Sequence, residues 1–404
     1  MFRRILVLAS RCICAGTTRR LLVMTITLVV VTLSAAGQSL EDLNVQIHGY
    51  ATQGFLYTTN NNILTTRSND GSPNWTEAVI NISAQPTSKL RISVQGRYEL
   101  LGNYSNNITL DYASADYKVS DGFGIRFGKV KTPSNLFNET QDIDPSYLWA
   151  LLPQSVYPIS SRNGILSEYG GIAYGTLSLE DAPKLGKLEY RGWGGENSLA
   201  SNDGYFLSFA EGGTDLPNGL SGVSGGAALH YRAAVVPGLM FGASFIQKGV
   251  LNGEIVAGSA VGSFIAQPIS EPAFFAKYER NKLMVAVERN RQAGSYVIYF
   301  GGPPAKPARF DDRGIYAMAS YKLTGKFTAG VYDSQYFGAT SPLGPARYQK
   351  DWDISGRYDF NQYIYAKAEE HFLDGTALSY DANLNPGGLK PTTKMTVLKI
   401  GVSF

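Results

Sequence analysis

The chain has 404 residues, of which 12% are aromatic and only 17% charged, and it contains 44 glycines and 25 tyrosines. This composition is typical of a large β-structure with many tight turns. The 36 basic residues nearly balance the 33 acidic ones, which argues against a nucleic-acid partner.

Residues 1–36 have the pattern of a signal peptide. A basic region with five arginines leads into an apolar run at residues 21–33, and small residues follow it. The run is shorter than an ordinary membrane helix, which favours cleavage at residue 36 or 37 over a retained anchor. Both cysteines, Cys12 and Cys14, precede this cut. The predicted mature chain, residues 37–404, therefore has no thiol for a disulfide or a thiolate metal site.

The rest of the chain alternates apolar and polar residues in short segments. In segment 89–101, for example, the apolar Ile92 and Val94 alternate with the polar Ser93 and Gln95. Sixteen such segments span 45–58, 74–84, 89–101, 107–119, 122–130, 167–178, 185–195, 225–235, 239–249, 271–278, 282–291, 313–323, 326–337, 350–360, 362–372 and 394–404. Each has about the length of a tilted membrane strand. The pattern predicts an all-β protein, a transmembrane antiparallel barrel of about sixteen strands, because lipid cannot satisfy an open sheet edge.

The fourth segment has one conflict with this pattern. Asp116 falls on its apolar, outward face. A β-bulge earlier in the segment would turn this carboxylate to the inner face. Without such a bulge, the fourth segment fits the barrel pattern only weakly.

The links between the segments alternate in length. Short turns such as Thr324-Gly325 and Asn361 alternate with longer connections. The six longest connections are residues 59–73, 131–166, 196–224, 250–270, 292–312 and 373–393. Short turns at one end and long loops at the other are typical of an outer-membrane barrel, whereas a soluble sandwich has no reason to alternate them.

With these features the chain resembles the Gram-negative outer-membrane porins of the general type. Its terminal run KMTVLKIGVSF, residues 394–404, looks like the assembly signal of that family. The resemblance implies that the barrel assembly machinery recognises Phe404 together with Val402, Ile400 and Leu398. The phrase KVKTPSNLFNETQDID also looks like the opening of the third loop in uncharacterised porin-like proteins. In general porins, that loop folds into the barrel and narrows the pore.

The third long loop, as we call residues 131–166, does not alternate. Aperiodic loops of this length are usually functional or disordered, and its aromatic and leucine residues argue against disorder. Asp144-Pro145 predicts the start of a short helix that Pro153 would stop. The candidate constriction residues are Glu139, Asp142 and Asp144 on the loop, Arg162 near its end, and Arg91, Arg97 and Arg126 on the predicted inner wall. We expect the loop acids to face water and to set ion preference; the alternative is that these charges only solvate the interior.

Nothing in the sequence indicates catalysis or a cofactor. The three histidines, His48, His230 and His371, lie on separate segments without the spacing of metal ligands. Neither a phosphate-binding glycine motif nor a G-x-S-x-G elbow is present. The sequence predicts no catalytic residue, no metal and no cofactor.

The sequence thus predicts a porin in the bacterial outer membrane. It would form a water-filled channel for passive diffusion of small hydrophilic solutes and ions, surrounded by outer-membrane lipid. The porins that it resembles are homotrimers, but the sequence itself leaves the oligomeric state of this protein open. The alternatives are a substrate-selective channel, a non-conducting adhesive or structural barrel, and an outer-membrane hydrolase. The hydrolase would need a Ser–His pair, for which three scattered histidines give little support.

Overall fold

The computed structural model describes residues 43–178, 186–302, 306–341, 343–378, 380 and 382–404. The predicted signal peptide and the predicted turn at residues 181–184 lie outside this part of the chain. No helix among the described residues has both the length and the apolar character that a membrane span requires.

Sixteen antiparallel strands form a closed ring, as the alternation predicts. They are β1 (Gln46–Thr58), β2 (Ser72–Ala84), β3 (Leu90–Leu101), β4 (Ser105–Ser120), β5 (Phe123–Lys131), β6 (Ser167–Ser178), β7 (Lys187–Leu199), β9 (Leu220–Arg232), β10 (Leu239–Lys248), β13 (Ile269–Arg280), β14 (Leu283–Tyr299), β15 (Ala308–Lys322), β16 (Phe327–Gly338), β17 (Tyr348–Asp359), β18 (Ile364–Gly375) and β19 (Thr392–Ser403). The first strand pairs with the last, from Tyr50 opposite Ser403 to Thr58 opposite Met395. The ring therefore has no open edge.

Three further short strands lie outside this ring. They are β8 (Thr214–Asp215), β11 (Leu251–Ala257) and β12 (Ala260–Ala266). The last two form a hairpin within the predicted loop 250–270, and β12 also pairs with the end of β14. The sequence analysis missed this hairpin, which buries Leu251, Ile255 and Phe264 in an apolar cluster.

Among the described residues, helical structure is confined to short pieces. Two five-residue α-helices span Arg162–Leu166 and Leu207–Glu211, and single 3₁₀ turns span Ser68–Asp70, Asp144–Ser146, Ile159–Ser161, Gly204–Phe206, Pro345–Arg347 and Ala382–Leu384. The helix expected from Asp144 to Pro153 is therefore wrong beyond its first turn. Ile143, not Asp144, occupies the cap position of that turn. The Asp144 carboxylate is bound by side chains of the barrel instead of by the turn's backbone.

The two faces of the strands are reversed relative to those of a soluble protein. On β19, the apolar Leu398, Ile400 and Val402 are exposed, while the charged Lys399 is buried among the residues of the inner face. A barrel with an apolar outer surface and a polar interior fits a lipid bilayer.

The fourth strand contains a bulge, which removes its conflict with the alternation. Gln95 of β3 faces Tyr112, but the next residue, Gly96, faces Leu110. Asp111 is thus the extra residue of β4, and it shifts the alternation by one position. Asp116 consequently lies on the inner face, where its carboxylate accepts a 2.8 Å hydrogen bond from the guanidinium of Arg126.

The carboxyl-terminal residue takes part in closing the barrel. The backbone N–H of Phe404 donates to the carbonyl of Gly49, and the N–H of Gly49 donates to the carbonyl of Phe404, both at 3.0 Å. The Phe404 ring also covers Gly49, where a Cβ atom would lie only 2.8 Å from it. A side chain at position 49 would therefore displace the terminal ring.

Candidate functional site

The first half of the third long loop is held to the last two strands by Asp144. Its carboxylate lies 2.6 Å from the ammonium of Lys399 and 3.0 Å from that of Lys367, and it accepts a 2.7 Å hydrogen bond from the Tyr365 hydroxyl. All these side chains are buried. Burial alone would raise the pKa of Asp144, but the two ammonium groups and the hydroxyl hold that pKa well below its usual range. Asp144 is therefore an ionised anchor of the loop.

An apolar cluster attaches the middle of the loop to strands β14–β16. Trp149 and Tyr157 are buried there, and the Trp149 ring lies 6.3 Å from that of Tyr332. The Tyr157 hydroxyl donates a 2.5 Å hydrogen bond to the carboxyl of Glu288, which also accepts one from the backbone N–H of Leu136. This part of the loop therefore packs against buried side chains of strands β14–β16.

The end of the loop enters a buried network of charges. The guanidinium of Arg162 lies 2.8 Å from the carboxylate of Glu77 and also contacts that of Glu99. Arg97 in turn pairs with Glu99 at 2.8 Å and with Asp111 at 3.0 Å. Two arginines and three carboxylates thus pair with one another away from water.

Most of the predicted constriction residues therefore do not face a channel. Asp142 has a completely buried side chain, which pairs with Lys131 at 2.7 Å. The expectation that Asp142 and Asp144 face water is wrong, because each is enclosed with a cation. The same holds for Arg97 and Arg162. Charges in a low-dielectric interior are retained only with such partners.

Arg91 also differs from its predicted role. Its guanidinium is exposed and donates to Gln46 at 2.9 Å and to Ser83 at 3.1 Å. These partners belong to β1 and β2, so the structure does not pair Arg91 with the acids of the third long loop.

Glu139 and two arginines form a more exposed cluster, which we call the charged gap. The side chain of Glu139 is 32% exposed, and its two carboxylate oxygens lie 3.7 Å from the guanidinium groups of Arg126 and Arg191. Arg126 also pairs with Asp116, and Arg191 lies 3.6 Å from Glu189. Of the predicted constriction set, only Glu139 and Arg126 meet here. Arg191 does not belong to that set. Its position on the polar face of its strand could have indicated that its side chain faces the interior of the barrel.

The structure also gathers one group that sequence reasoning missed. Asp351, Asp353, Glu369 and His371 come together on the buried faces of β17 and β18. The sequence contains a D-x-D pair on one strand and an E-x-H pair on the next. Residues two positions apart on a strand lie on the same face, so each pair shares a face. Only the strand register shows that the two pairs meet.

Comparison with known proteins identifies the fold and nothing finer. No known protein family matches the sequence, and no curated protein matches it either. The outer membrane channel DcaP of Acinetobacter baumannii superposes with a TM-score of 0.54 at 10% identity, over 91% of this chain and 99% of that one. The anion-selective porin from Comamonas acidovorans gives 0.52 at 10% identity, over 89% and 99%. The trimer form of OmpT, an outer membrane protein of Vibrio cholerae, gives 0.51 at 11% identity, over 89% and 99%.

These three proteins share an architecture with the chain described above. The resemblance to porins, inferred from strand alternation and loop lengths, is therefore confirmed at the level of the fold. The chain forms a closed sixteen-stranded barrel of the porin type.

Proposed function

We propose that the protein is a bacterial outer-membrane channel through which small hydrophilic solutes and ions diffuse passively. A sixteen-stranded barrel is wide enough to enclose an aqueous channel, and the apolar outer face of this one suits outer-membrane lipid. Its fold is that of a solved channel and a solved porin. The protein acts by passage of solutes and carries out no catalysis.

We further infer that the third long loop crosses the lumen and narrows it. Its hydrogen bonds and ion pairs reach inward-facing side chains of strands on several sides of the ring. They include Glu77 of β2, Ser244 of β10, Glu288 of β14 and Lys399 of β19. Contacts with strands so far apart in the ring support a course of the loop across the lumen.

The charged gap is the observation that carries this proposal. Glu139 projects from the loop, while Arg126 and Arg191 project from β5 and β7. These three side chains keep between about a quarter and a third of their surface in water, unlike the enclosed pairs elsewhere on the loop. Opposite charges across a narrow, partly desolvated passage act strongly on a passing ion.

A planar-bilayer recording of the purified protein tests the channel proposal. We expect discrete conductance steps with a reversal potential in a salt gradient. A barrel that inserts into the bilayer but passes no current is the adhesive or structural alternative, and that result would overturn the proposal.

The substitution Glu139→Gln should shift ion selectivity toward anions. It removes the loop's negative charge from the gap, so that Arg126 and Arg191 keep only Asp116 and Glu189 as acidic neighbours. The reverse change, Arg126→Gln with Arg191→Gln, should shift selectivity toward cations. Reversal potentials should be measured at low salt, where screening is weakest. The control is Glu139→Asp, which keeps the charge; equal reversal potentials for the Gln and Asp variants would contradict the assignment.

Deletion of Phe404 should lower the yield of folded protein in the outer membrane. The deletion removes two backbone hydrogen bonds to Gly49 and the terminal aromatic ring of the proposed assembly signal. The measurement is the heat-modifiable gel mobility of the outer-membrane fraction. Phe404→Tyr, which keeps the ring and the backbone, should behave as wild type. An undiminished folded band after the deletion would show that the assembly machinery does not need this residue.

A homotrimer is the assembly that we propose for the protein. The support is the fold shared with OmpT of Vibrio cholerae, which has a trimer form. Sedimentation of the detergent-solubilised protein at the mass of a single chain would contradict it.

A further inference from the structure

One buried cluster lies outside the charged gap and has an unusual charge balance. Asp351 and Asp353 lie on the inner face of β17, and Glu369 and His371 lie on the inner face of β18. Asp353 and His371 are direct partners across the two strands. All four side chains are almost completely buried.

The imidazole of His371 has a defined orientation. Its Nδ1 atom lies 3.1 Å from an oxygen of Asp351, which also accepts a 3.1 Å hydrogen bond from the Tyr332 hydroxyl. A carboxylate in this position receives the Nδ1 proton. The Nε2 atom faces Glu369 at 3.3 Å and Asp353 at 3.8 Å.

This arrangement leaves negative charge uncompensated. Within the described part of the chain, neither lysine nor arginine forms an ion pair with Asp351, Asp353 or Glu369. The Oδ2 atom of Asp353 accepts a hydrogen bond from Ser355, but its buried Oδ1 atom has no partner among the described residues. A buried carboxylate oxygen without a hydrogen bond is unfavourable, and a bound cation would give it a partner.

The Nε2 atom lies farther from both of its carboxylates than the Nδ1 atom lies from Asp351. Charge-assisted hydrogen bonds between nitrogen and a carboxylate are usually about 2.7–2.9 Å long, whereas these gaps are 3.3 and 3.8 Å. Atoms bound to one zinc ion at about 2.0–2.2 Å in a tetrahedron stand about 3.4 Å apart. The observed gaps bracket that separation, and the three ligand atoms lie within 4.8 Å of one another.

We propose that this cluster binds one divalent transition-metal ion of the zinc type. The ligands are Nε2 of His371, Oε2 of Glu369 and Oδ1 of Asp353. Asp351 holds the imidazole by its Nδ1–H, as carboxylates behind metal-bound histidines commonly do. The imidazole ligand favours zinc and its neighbours in the transition series over calcium or magnesium.

The position of the site gives the metal a structural role. Glu369 also accepts hydrogen bonds from the backbone N–H groups of Ala150 and, at 3.2 Å, Leu151. Both residues belong to the third long loop. The ion therefore fixes the carboxylate that holds the loop to the barrel wall.

Metal analysis of the full-length folded protein tests the site independently of any conductance. The protein is refolded in detergent without metal, exposed to zinc, dialysed and analysed by elemental mass spectrometry. We expect about one zinc per chain for the wild type and at least a tenfold lower content for Asp353→Asn and His371→Gln. The control His48→Gln removes an exposed histidine and should keep the zinc.

Heat-modifiable gel mobility establishes whether each variant is folded. X-ray absorption on the zinc-loaded wild type provides a measurement that needs no variant, and it should show one imidazole with oxygen ligands. A wild type without tightly held zinc, or an Asp353→Asn variant that holds as much as the wild type, would overturn the proposal. Because metal content does not depend on solute passage, failure here leaves the channel proposal standing.

Discussion

Replacement of residues 134–163 by a Gly-Ser-Gly bridge will raise the single-channel conductance several-fold. This change removes nearly all of the third long loop from a barrel that is otherwise wide enough for a water-filled channel. The bridge is short because the ends of the loop already meet. The backbone N–H of Thr132 donates to the carbonyl of Leu166 at 3.1 Å, and its hydroxyl donates to that of Ile165 at 2.8 Å.

The shortened protein should still fold, since the strands and their register are unchanged. Wall residues that lose loop partners, such as Glu77 and Lys399, would be solvated by the water that enters. A matched control deletes residues 386–388, an exposed link in which two glycines have open space around them. We expect that control to conduct like the wild type. Equal conductance of the bridged and wild-type proteins would show that the loop does not obstruct the lumen.

The substitution Asp144→Ala will loosen the loop and destabilise the protein. It leaves the buried ammonium groups of Lys367 and Lys399 without their carboxylate. Removal of one partner from a buried ion pair typically costs about 3–5 kcal/mol. We expect a lower unfolding temperature in detergent and frequent brief current fluctuations in the bilayer.

The control for this effect is Asp144→Asn, which keeps the side-chain shape and loses the charge. It should also be destabilised, but less than the alanine variant, because the amide still has an oxygen for one ammonium. A wild-type unfolding temperature and a quiet current in both variants would show that Asp144 does not anchor the loop.

The same anchor has a defined dependence on pH. Because the folded protein holds the pKa of Asp144 below its ordinary value of 3.8, the ion pairs stabilise the fold fully above that value. Their contribution is lost only as the pH falls further, through the lowered pKa. Mild acid above pH 4 should therefore leave this anchor in place.

The barrel was predictable from sequence because its signals are local. Alternation of apolar and polar residues sets the face of every side chain within a strand, and the alternating link lengths set the order of turns and loops. The one misplaced charge, Asp116, is explained by the bulge in β4. The β11–β12 hairpin was missed because its strands have only seven residues each, fewer than a tilted membrane strand needs.

The candidate site was less predictable because its contacts join distant parts of the chain. Asp144 appeared to be a water-facing acid, yet its partners, Lys367 and Lys399, lie more than 200 residues away. Asp142 pairs with the nearby Lys131, but its enclosure also depends on the distant Gln95 and Tyr50. The charge pattern could place these residues near the lumen but could not show which of them would pair.

The most direct test of the account is chemical modification of Glu139→Cys during a bilayer recording. The predicted mature chain has no cysteine, so the introduced thiol is its only one. A positively charged methanethiosulfonate reagent should react and change both the current and the ion selectivity. Asp121→Cys, at a turn where the side chain is 94% exposed, should react without changing either. Modification of Glu139→Cys that leaves the current and the selectivity unaltered would contradict the claim that this side chain borders the channel.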